Sequence, residues 1–127
     1  MAEIITQMKI EVADKVGRFA EITAALKAAG LNILAVNAWV QDGRGVGYLI
    51  TDDNEQACAA LSDIVDHCEM QEVLRVTMAN QVGASHEGAK KLAEAGIAIK
   101  LAYATAAGDR ALVVLDTTDN ARAAKIL

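Results

Sequence analysis

The chain is an internal duplication, and this limits its possible folds more than any other feature. When the sequence is slid along itself by 66 residues, the separation of Gly17 from Gly83, the halves align without a gap. Matching residues lie at turns, on helix faces and after strands: Val16-Gly17 with Val82-Gly83, Leu26 with Leu92, Ala29-Gly30 with Ala95-Gly96, Ile33 with Ile99, Arg44 with Arg110, Leu49 with Leu115, Thr51 with Thr117, Asp53-Asn54 with Asp119-Asn120, Ala57 with Ala123, and Leu61 with Leu127. The period is longer than that of most solenoid repeats, which indicates a duplicated small domain rather than a repeat array.

Apolar periodicity predicts the same order of elements in each half. In the first half it predicts strands at 8–12, 33–40 and 46–51, and an extended segment at 69–79. It also predicts a helix at 19–29 and a second helix after Asp53. The apolar stripe of this second helix is Ala57, Leu61, Ile64, Val65 and Cys68. The second half repeats this with strands at 74–78, 97–104 and 111–116, a helix ending near Ala95 and a last helix near Asp119. The predicted fold is α+β: two ferredoxin-like βαββαβ units in tandem, with antiparallel sheets and helices on one face.

Turn and cap residues support these boundaries. Gly30 is placed to end the first helix, and Asp42-Gly43 is typical of a tight hairpin turn because both positions tolerate a positive φ. Asp53, with Gln56 three residues later, predicts a capping box at the start of the second helix.

The predicted domains are 1–70 and 71–127. Little chain separates them, so one long strand is expected to close the first unit and open the second. Leu127 corresponds to Leu61, in mid-helix, so the second unit lacks its last strand. Three explanations remain open: further chain, self-association at an uncovered sheet edge, or an extra strand supplied by 2–6.

Composition excludes several classes of function. A net charge of -5 and an aromatic content of 3% argue against nucleic-acid binding, which needs a basic face or stacking rings. No apolar run approaches the roughly 20 residues of a membrane span, and the acidic start Met1-Ala2-Glu3 is not typical of a signal peptide, so we expect a cytoplasmic protein. Cys58 and Cys68 form no CxxC motif and are expected to be reduced and buried.

The motifs and their duplication resemble those of tandem ACT-domain proteins over nearly the whole chain. The residues that carry the resemblance are a glycine loop after the first strand, Asp14-Lys15-Val16-Gly17, and the junction Gly30-Leu31-Asn32-Ile33 after the first helix. In the family this loop commonly has proline where Val16 stands. The resemblance implies a regulatory, allosteric, non-enzymatic module without a cofactor. It also implies an amino acid or similar small metabolite as ligand between units, a homodimer, and a metabolic enzyme as partner.

The same resemblance implies a set of ligand-binding residues. They are Asp14, Lys15, Val16, Gly17, Arg18 and Asn32, with Asn80 and Gly83 as the second-half counterparts of Asp14 and Gly17. Asp14 would hold an α-amino group, and backbone N–H groups at the helix start would favour a carboxylate. Ala98 replaces Asn32 in the second half, so the two sites are expected to be unequal.

Simpler interpretations of these residues remain open. Gly17 can be a plain turn, Asp14 a helix cap, and Asn32 a turn residue. The whole chain can equally be a ligand-free oligomerisation scaffold. An enzyme is not expected, because Ser85 and His86 are adjacent on a helix and lack an orienting acid. Metal-ligand spacing is also lacking, and His67-Cys68 is predicted to be a helix end.

Overall fold

A computed structural model describes residues 1–127 and contains six strands and four helices. Their bounds are β1 (Ala2–Ala13), α1 (Arg18–Ala28), β2 (Ile33–Gln41), β3 (Arg44–Thr51), α2 (Asn54–Ala60), β4 (His67–Ala79), α3 (Ala84–Glu94), β5 (Ile99–Ala107), β6 (Arg110–Thr117) and α4 (Asn120–Ile126). Strand pairing is antiparallel, and the α+β fold with two βαββαβ-type units is confirmed.

The chain forms two compact units. The first repeat unit is Thr6–Gln71, and the second repeat unit is Met1–Ile5 together with Glu72–Leu127. Strand order is β2-β3-β1-β4 in the first unit and β5-β6-β4-β1 in the second. The long strands β1 and β4 therefore contribute to both units, as expected for β4. The boundaries 1–70 and 71–127 stay a prediction; in the structure residues 1–5 cluster with the second unit.

Each unit has its own apolar core between its helices and one face of its sheet. In the first unit Met8 and Ile10 of β1 pack with Ile22 and Leu26 of α1 and with Leu61 after α2. The second unit repeats this arrangement with a cluster formed by Leu74, Val76, Leu92, Ile97, Leu115 and Ala123. Both helices of a unit thus cover the same face of its sheet. They leave the part of this face that lies over the edge strand, β2 or β5, less covered.

The helix that follows the third strand begins with the same polar network in both units. Asp53 caps α2 by accepting a hydrogen bond from the Gln56 N–H at 3.1 Å, which confirms the predicted cap. Asn54 Oδ1 accepts from the Thr51 N–H at 2.8 Å, and Asn54 Nδ2 donates to the Thr6 carbonyl at 3.0 Å. The second unit repeats these bonds with Asp119, Arg122, Asn120, Thr117 and Glu72. A side-chain network kept this closely supports the duplication.

The N-terminal segment supplies the strand that the second unit lacks at its C-terminal end. The Met1 carbonyl accepts from the Thr77 N–H at 3.0 Å, and the Met1 amino group donates to the Thr77 carbonyl at 3.1 Å. Glu3 forms an ion pair with Arg75, and Ala2 packs against the second core. Of the three explanations left open, the extra strand from the N-terminus is therefore confirmed.

The predicted second helix was too long. α2 ends at Ala60, and a turn in which the Ile64 N–H donates to the Leu61 carbonyl follows it. Ile64, Val65 and Cys68 still pack against the first core, so a helical period described their burial but not their backbone. The prediction that His67-Cys68 ends a helix was also wrong, because both residues belong to β4.

The prediction of two reduced, buried cysteines was wrong. Cys58 and Cys68 are joined by a disulfide, with their Cα atoms 6.1 Å apart, and both are only half-buried. The bond links α2 to the start of β4, inside the first unit. The corresponding positions in the second unit are Ala124 and Ala2, which pack on its core without a covalent link.

Candidate functional site

The loop between β1 and α1 is a tight turn that requires glycine at its third position. The Arg18 N–H donates to the Lys15 carbonyl at 3.2 Å, and Gly17 has φ 86° and ψ -1°. These angles match the third residue of a type II turn, whose second residue, here Val16, is often proline. Gly17 is also the N-cap residue of α1, and no side chain, that of Asp14 included, forms a cap hydrogen bond with this helix. The cap interpretation of Asp14 is thereby removed.

Charged side chains surround this helix start. Glu21 accepts from Lys15 Nζ at 3.1 Å and from Arg18 Nη1 at 2.9 Å, while Arg18 Nε donates to the Ala13 carbonyl at 3.0 Å. The hydrogen bond from Lys15, with the nearby charge of Arg18, lowers the pKa of Glu21 from its ordinary 4.5. Asp14 is exposed and makes no hydrogen bond or ion pair with another residue. The loop therefore has two cations partly neutralised by one carboxylate, beside a second carboxylate that is free to pair.

A cavity of about 390 Å³ opens beside this loop, within the first unit. We call it the first-unit cavity. Its rim at the loop end includes Asp14, Lys15, Gly17 and Arg18. The rest of its lining is mostly apolar and comes from α1 and from strands β1, β2 and β3: Ile10, Val12, Phe19, Ala20, Ile22, Val36, Ala38, Trp39, Val40, Gly45, Val46, Gly47, Tyr48 and Leu49. This volume lies in the usual range of small-molecule sites.

The second unit has a smaller counterpart with a different lining. The second-unit cavity measures about 300 Å³, and its lining consists of Val76, Met78, Ser85, Gly88, Ala89, Leu92, Ile99, Ala102, Tyr103, Ala104, Val113, Leu115 and Leu127. No charged residue lines it. Asn80 and Gly83 are not among its residues. Instead Asn80 Nδ2 donates to the Gly108 carbonyl at 2.9 Å, while Gly83 repeats the turn geometry of Gly17 with φ 86°.

The remaining predicted site residues lie apart from the first-unit cavity. Val16 is fully exposed at the turn and does not line it. The Asn32 backbone N–H donates to Asp52 Oδ1 at 3.2 Å, and its carbonyl accepts from the Asp52 N–H at 3.3 Å. Asn32 thus forms part of the junction between α1 and β2, and no contact in the unit joins it to the cavity.

Sequence reasoning missed most of the cavity lining. Neither Gly45 nor Gly47 was among the predicted site residues, yet both lie in the middle of the sheet that forms the cavity floor. Phe19, at the start of the predicted helix 19–29, also lines the cavity and is 54% exposed. Isolated glycines in a strand pattern do signal a close approach or missing packing, and this signal was present at Gly47.

Other kinds of site find little support in the side-chain arrangement. No group of three or more His, Cys, Asp or Glu side chains converges as metal ligands would. None of the four helices combines the length and the apolar character needed to cross a membrane. His86 and Ser85 lie side by side at the start of α3, and the Ser85 hydroxyl lies 4.0 Å from the sulfur of Met78.

Comparison with known proteins identifies the class. A family model described as an ACT domain pair matches residues 3–127. The chain therefore belongs to the ACT domain pair family, as the motifs around Gly17 and Asn32 implied. No curated protein matches it at a significant level.

Solved structures share the same fold. Protein BT0572 from Bacteroides thetaiotaomicron superposes with a TM-score of 0.90 at 24% identity, covering 99% of this chain and 88% of that one. The ligand-free regulatory subunit of aspartate kinase from Thermus thermophilus gives 0.72 at 14% identity, covering 98% and 93%. The corresponding subunit from Thermus flavus gives 0.69 at 17% identity, covering 98% and 90%. At these identities the likeness establishes the fold alone.

Proposed function

We propose that this ACT domain pair is a non-enzymatic regulatory protein that binds an amino acid, or a similar small metabolite, in the first-unit cavity. The observation that carries the proposal is the combination of charges at its loop end. Asp14 offers an unpaired carboxylate to an ammonium group. Lys15, Arg18 and the α1 N-terminus offer positive charge to a carboxylate.

Backbone N–H groups at the start of α1 add hydrogen-bond donors beside these cations. The Arg18 N–H is used by the turn, and the Glu21 N–H donates to the Gly17 carbonyl at 3.0 Å. The N–H groups of Phe19 and Ala20 have no partner within the helix, and both residues line the cavity. A carboxylate placed there would accept backbone hydrogen bonds next to two cations. Asn32 remains a proposed contact, although it lies in the same unit apart from the first-unit cavity.

The unequal units suggest one principal site in each chain. Asn80 and Gly83 keep the turn, but the Asn80 side chain already donates a hydrogen bond to the Gly108 carbonyl. The uncharged residues Gln81 and Ala84 replace Lys15 and Arg18. We therefore assign Asn80 and Gly83 a structural role and at most a weak ligand contact.

Regulation would follow from linkage. A ligand that prefers one association state stabilises that state by RT ln(1 + [L]/Kd). Binding would therefore shift the equilibrium between monomer and homodimer, or between the free protein and its complex with a metabolic enzyme. Aspartate kinase regulatory subunits share the fold, which makes control of such an enzyme a reasonable expectation. A cytoplasmic location stays a prediction from the sequence, and the Cys58–Cys68 disulfide argues against it because cytosolic thiols are usually kept reduced.

The test is thermal denaturation against each of the twenty amino acids at millimolar concentration, followed by light scattering for every ligand that raises Tm. We expect the rise to disappear in Asp14→Ala and to fall in Lys15→Ala. Gln81→Ala is the matched control, because Gln81 holds the position of Lys15 in the other unit. The proposal fails if no amino acid raises Tm, or if Gln81→Ala weakens binding as much as Lys15→Ala.

A second candidate is a ligand-free interaction scaffold. The edge strand β2 carries exposed apolar side chains, with Val36 43% and Val40 59% exposed, and such residues are common where a partner docks. In that case Val40→Asp should abolish self-association in light scattering, whereas Asp14→Ala should leave it intact.

A further inference from the structure

We propose that the first-unit cavity selects amino acids with a large apolar side chain, and that Gly45 and Gly47 set this preference. This inference rests on the proposed function, since it names the class of ligand for the same site. It comes from comparing the two units residue by residue on the helix-facing side of each sheet.

In the first unit three rows cross this side of the sheet, from β1 through β3 to β2. The register aligns Val12, Gly45 and Val40 in the row nearest the β2–β3 hairpin. The next rows are Ile10, Gly47 and Ala38, and then Met8, Leu49 and Val36. The middle strand thus has no side chain in two successive rows, while both flanking strands carry apolar side chains. The result is a trough above β3.

In the second unit side chains partly fill the same trough. Its register aligns Met78, Ala111 and Ala106 in the first row, and Val76, Val113 and Ala104 in the second. Ala111 and Val113 replace Gly45 and Gly47, so the middle strand rises by a methyl and an isopropyl group. Alanines replace Val40 and Val36 on the edge strand, so the outer wall is lower. The fold therefore accepts side chains at these positions in the second unit, where Met78 replaces Val12 beside Ala111.

The two glycines differ in the space they leave. A Cβ added at Gly47 would lie 3.4 Å from Ile10 Cγ1 and 3.7 Å from Ala38 Cβ, which is ordinary contact. A Cβ added at Gly45 would lie 2.9 Å from Val12 Cγ1, so Val12 would have to move. A methyl group at position 47 would therefore reduce the volume of the trough without disturbing the fold.

The distribution of charge decides what can occupy the trough. The charged groups at the cavity, Asp14, Lys15 and Arg18, all lie at its loop end. The walls along the trough are the apolar side chains of Phe19, Ile22, Val36 and Val40, together with those of β1. An α-amino acid whose charged head lies at the loop would place its side chain over the glycine floor. A charged side chain there would lose hydration without a partner, whereas a large apolar one would gain buried area.

The experiment is isothermal titration of the whole chain with phenylalanine, leucine and methionine, and with alanine, serine, aspartate and lysine. We expect the first three to bind at least tenfold more tightly than the other four. In Gly47→Ala we expect at least a tenfold loss of affinity for the large apolar ligands, and little change for alanine. Val113→Ala in the second unit is the matched control and should leave every affinity unchanged.

The outcomes separate this inference from the proposed function. If only small or charged amino acids bind, or if Gly47→Ala binds phenylalanine and leucine as the unaltered chain does, the inference is overturned while the proposed function stands. If no amino acid binds at all, both are overturned. An unchanged thermal unfolding midpoint of Gly47→Ala without ligand confirms that a loss of affinity reflects the filled trough.

Discussion

The two repeat units share a backbone plan but differ in how they are closed and in what they leave open. The first unit, Thr6–Gln71, is contiguous in sequence, contains the disulfide and opens a cavity with charged groups at one end. The second borrows Met1–Ile5 from the far end of the chain and has an uncharged, partly filled cavity. Duplication thus preserved what the fold needs, such as the Asn54 and Asn120 networks, and allowed the surfaces to diverge.

The largest loss of stability is expected from removing residues 1–5, the N-terminal part of β1 that completes the second unit. Deleting residues 1–5 eliminates the backbone hydrogen bonds between Met1 and Thr77, the ion pair of Glu3 and the packing of Ala2. Several backbone hydrogen bonds at about 1 kcal/mol each, plus lost burial, suggest a cost on the order of 3 kcal/mol. Urea unfolding should report it, and light scattering should detect association through the opened edge.

The control for this deletion is Glu3→Gln, which removes only an exposed ion pair and should cost less than about 1 kcal/mol. If the deletion left both the unfolding midpoint and the particle size unchanged, the N-terminal strand would not be what closes the second unit.

The next effect is expected from reducing the disulfide, which only the first unit has. Cys58 and Cys68 are 10 residues apart, and closing a loop of this length restricts the unfolded chain by about 2–3 kcal/mol. We expect the unfolding midpoint to fall in the presence of a dithiol reductant. The double variant Cys58→Ala with Cys68→Ala copies Ala124 and Ala2 of the second unit, so it should fold and should not respond to the reductant. Equal midpoints for the oxidised and reduced natural chain would contradict the prediction.

The smallest expected effect is on the pH dependence of stability, through the carboxylate of Glu21. Lys15 and Arg18 lower the pKa of Glu21 in the folded state, so the folded protein favours the ionised form. The resulting stabilisation is complete above the ordinary value of 4.5 and is lost as the pH falls through the lowered folded-state pKa. Glu21→Gln should therefore reduce the acid dependence of the unfolding midpoint.

The matched control for Glu21 is Glu87→Gln, because Glu87 holds the equivalent position but faces Gln81 and Ala84 in place of the two cations. Acid unfolding of the two variants, followed by circular dichroism, makes the comparison. Identical acid profiles for both would mean that the charges around Glu21 do not distinguish the units.

Local patterns predicted most of the fold because the same pattern of elements occurs in both halves of the chain. The alternation at Met8 to Val12, the stop at Gly30 and the hairpin at Asp42-Gly43 all act through neighbouring residues, and all are found in the structure. The end of α2 was missed for a physical reason. Ile64 and Val65 are buried equally well by a helix or by a turn after Leu61, so burial periodicity could not separate the two.

The features missed at the site depend on distant contacts. The spacing of Cys58 and Cys68 in the sequence does not reveal that α2 and β4 bring them within bonding range. Asp14, Lys15, Gly17 and Arg18 lie beside one cavity and Val16 does not, and the role of all five as ligand contacts stays a prediction. The trough above Gly47 becomes visible only when β1 and β2 are aligned on either side of β3.

The borrowed strand has a consequence for the order in which the protein acquires its structure. During synthesis Met1–Ile5 precede their partner residues, and Met1 and Thr77 are separated by 76 positions. The first unit has all its strands once β4 begins, whereas the second must recapture a segment made long before its own β5 and β6. Because contacts so distant in sequence form slowly, we expect the first unit to fold earlier and the N-terminal segment to remain unpaired until the second unit assembles.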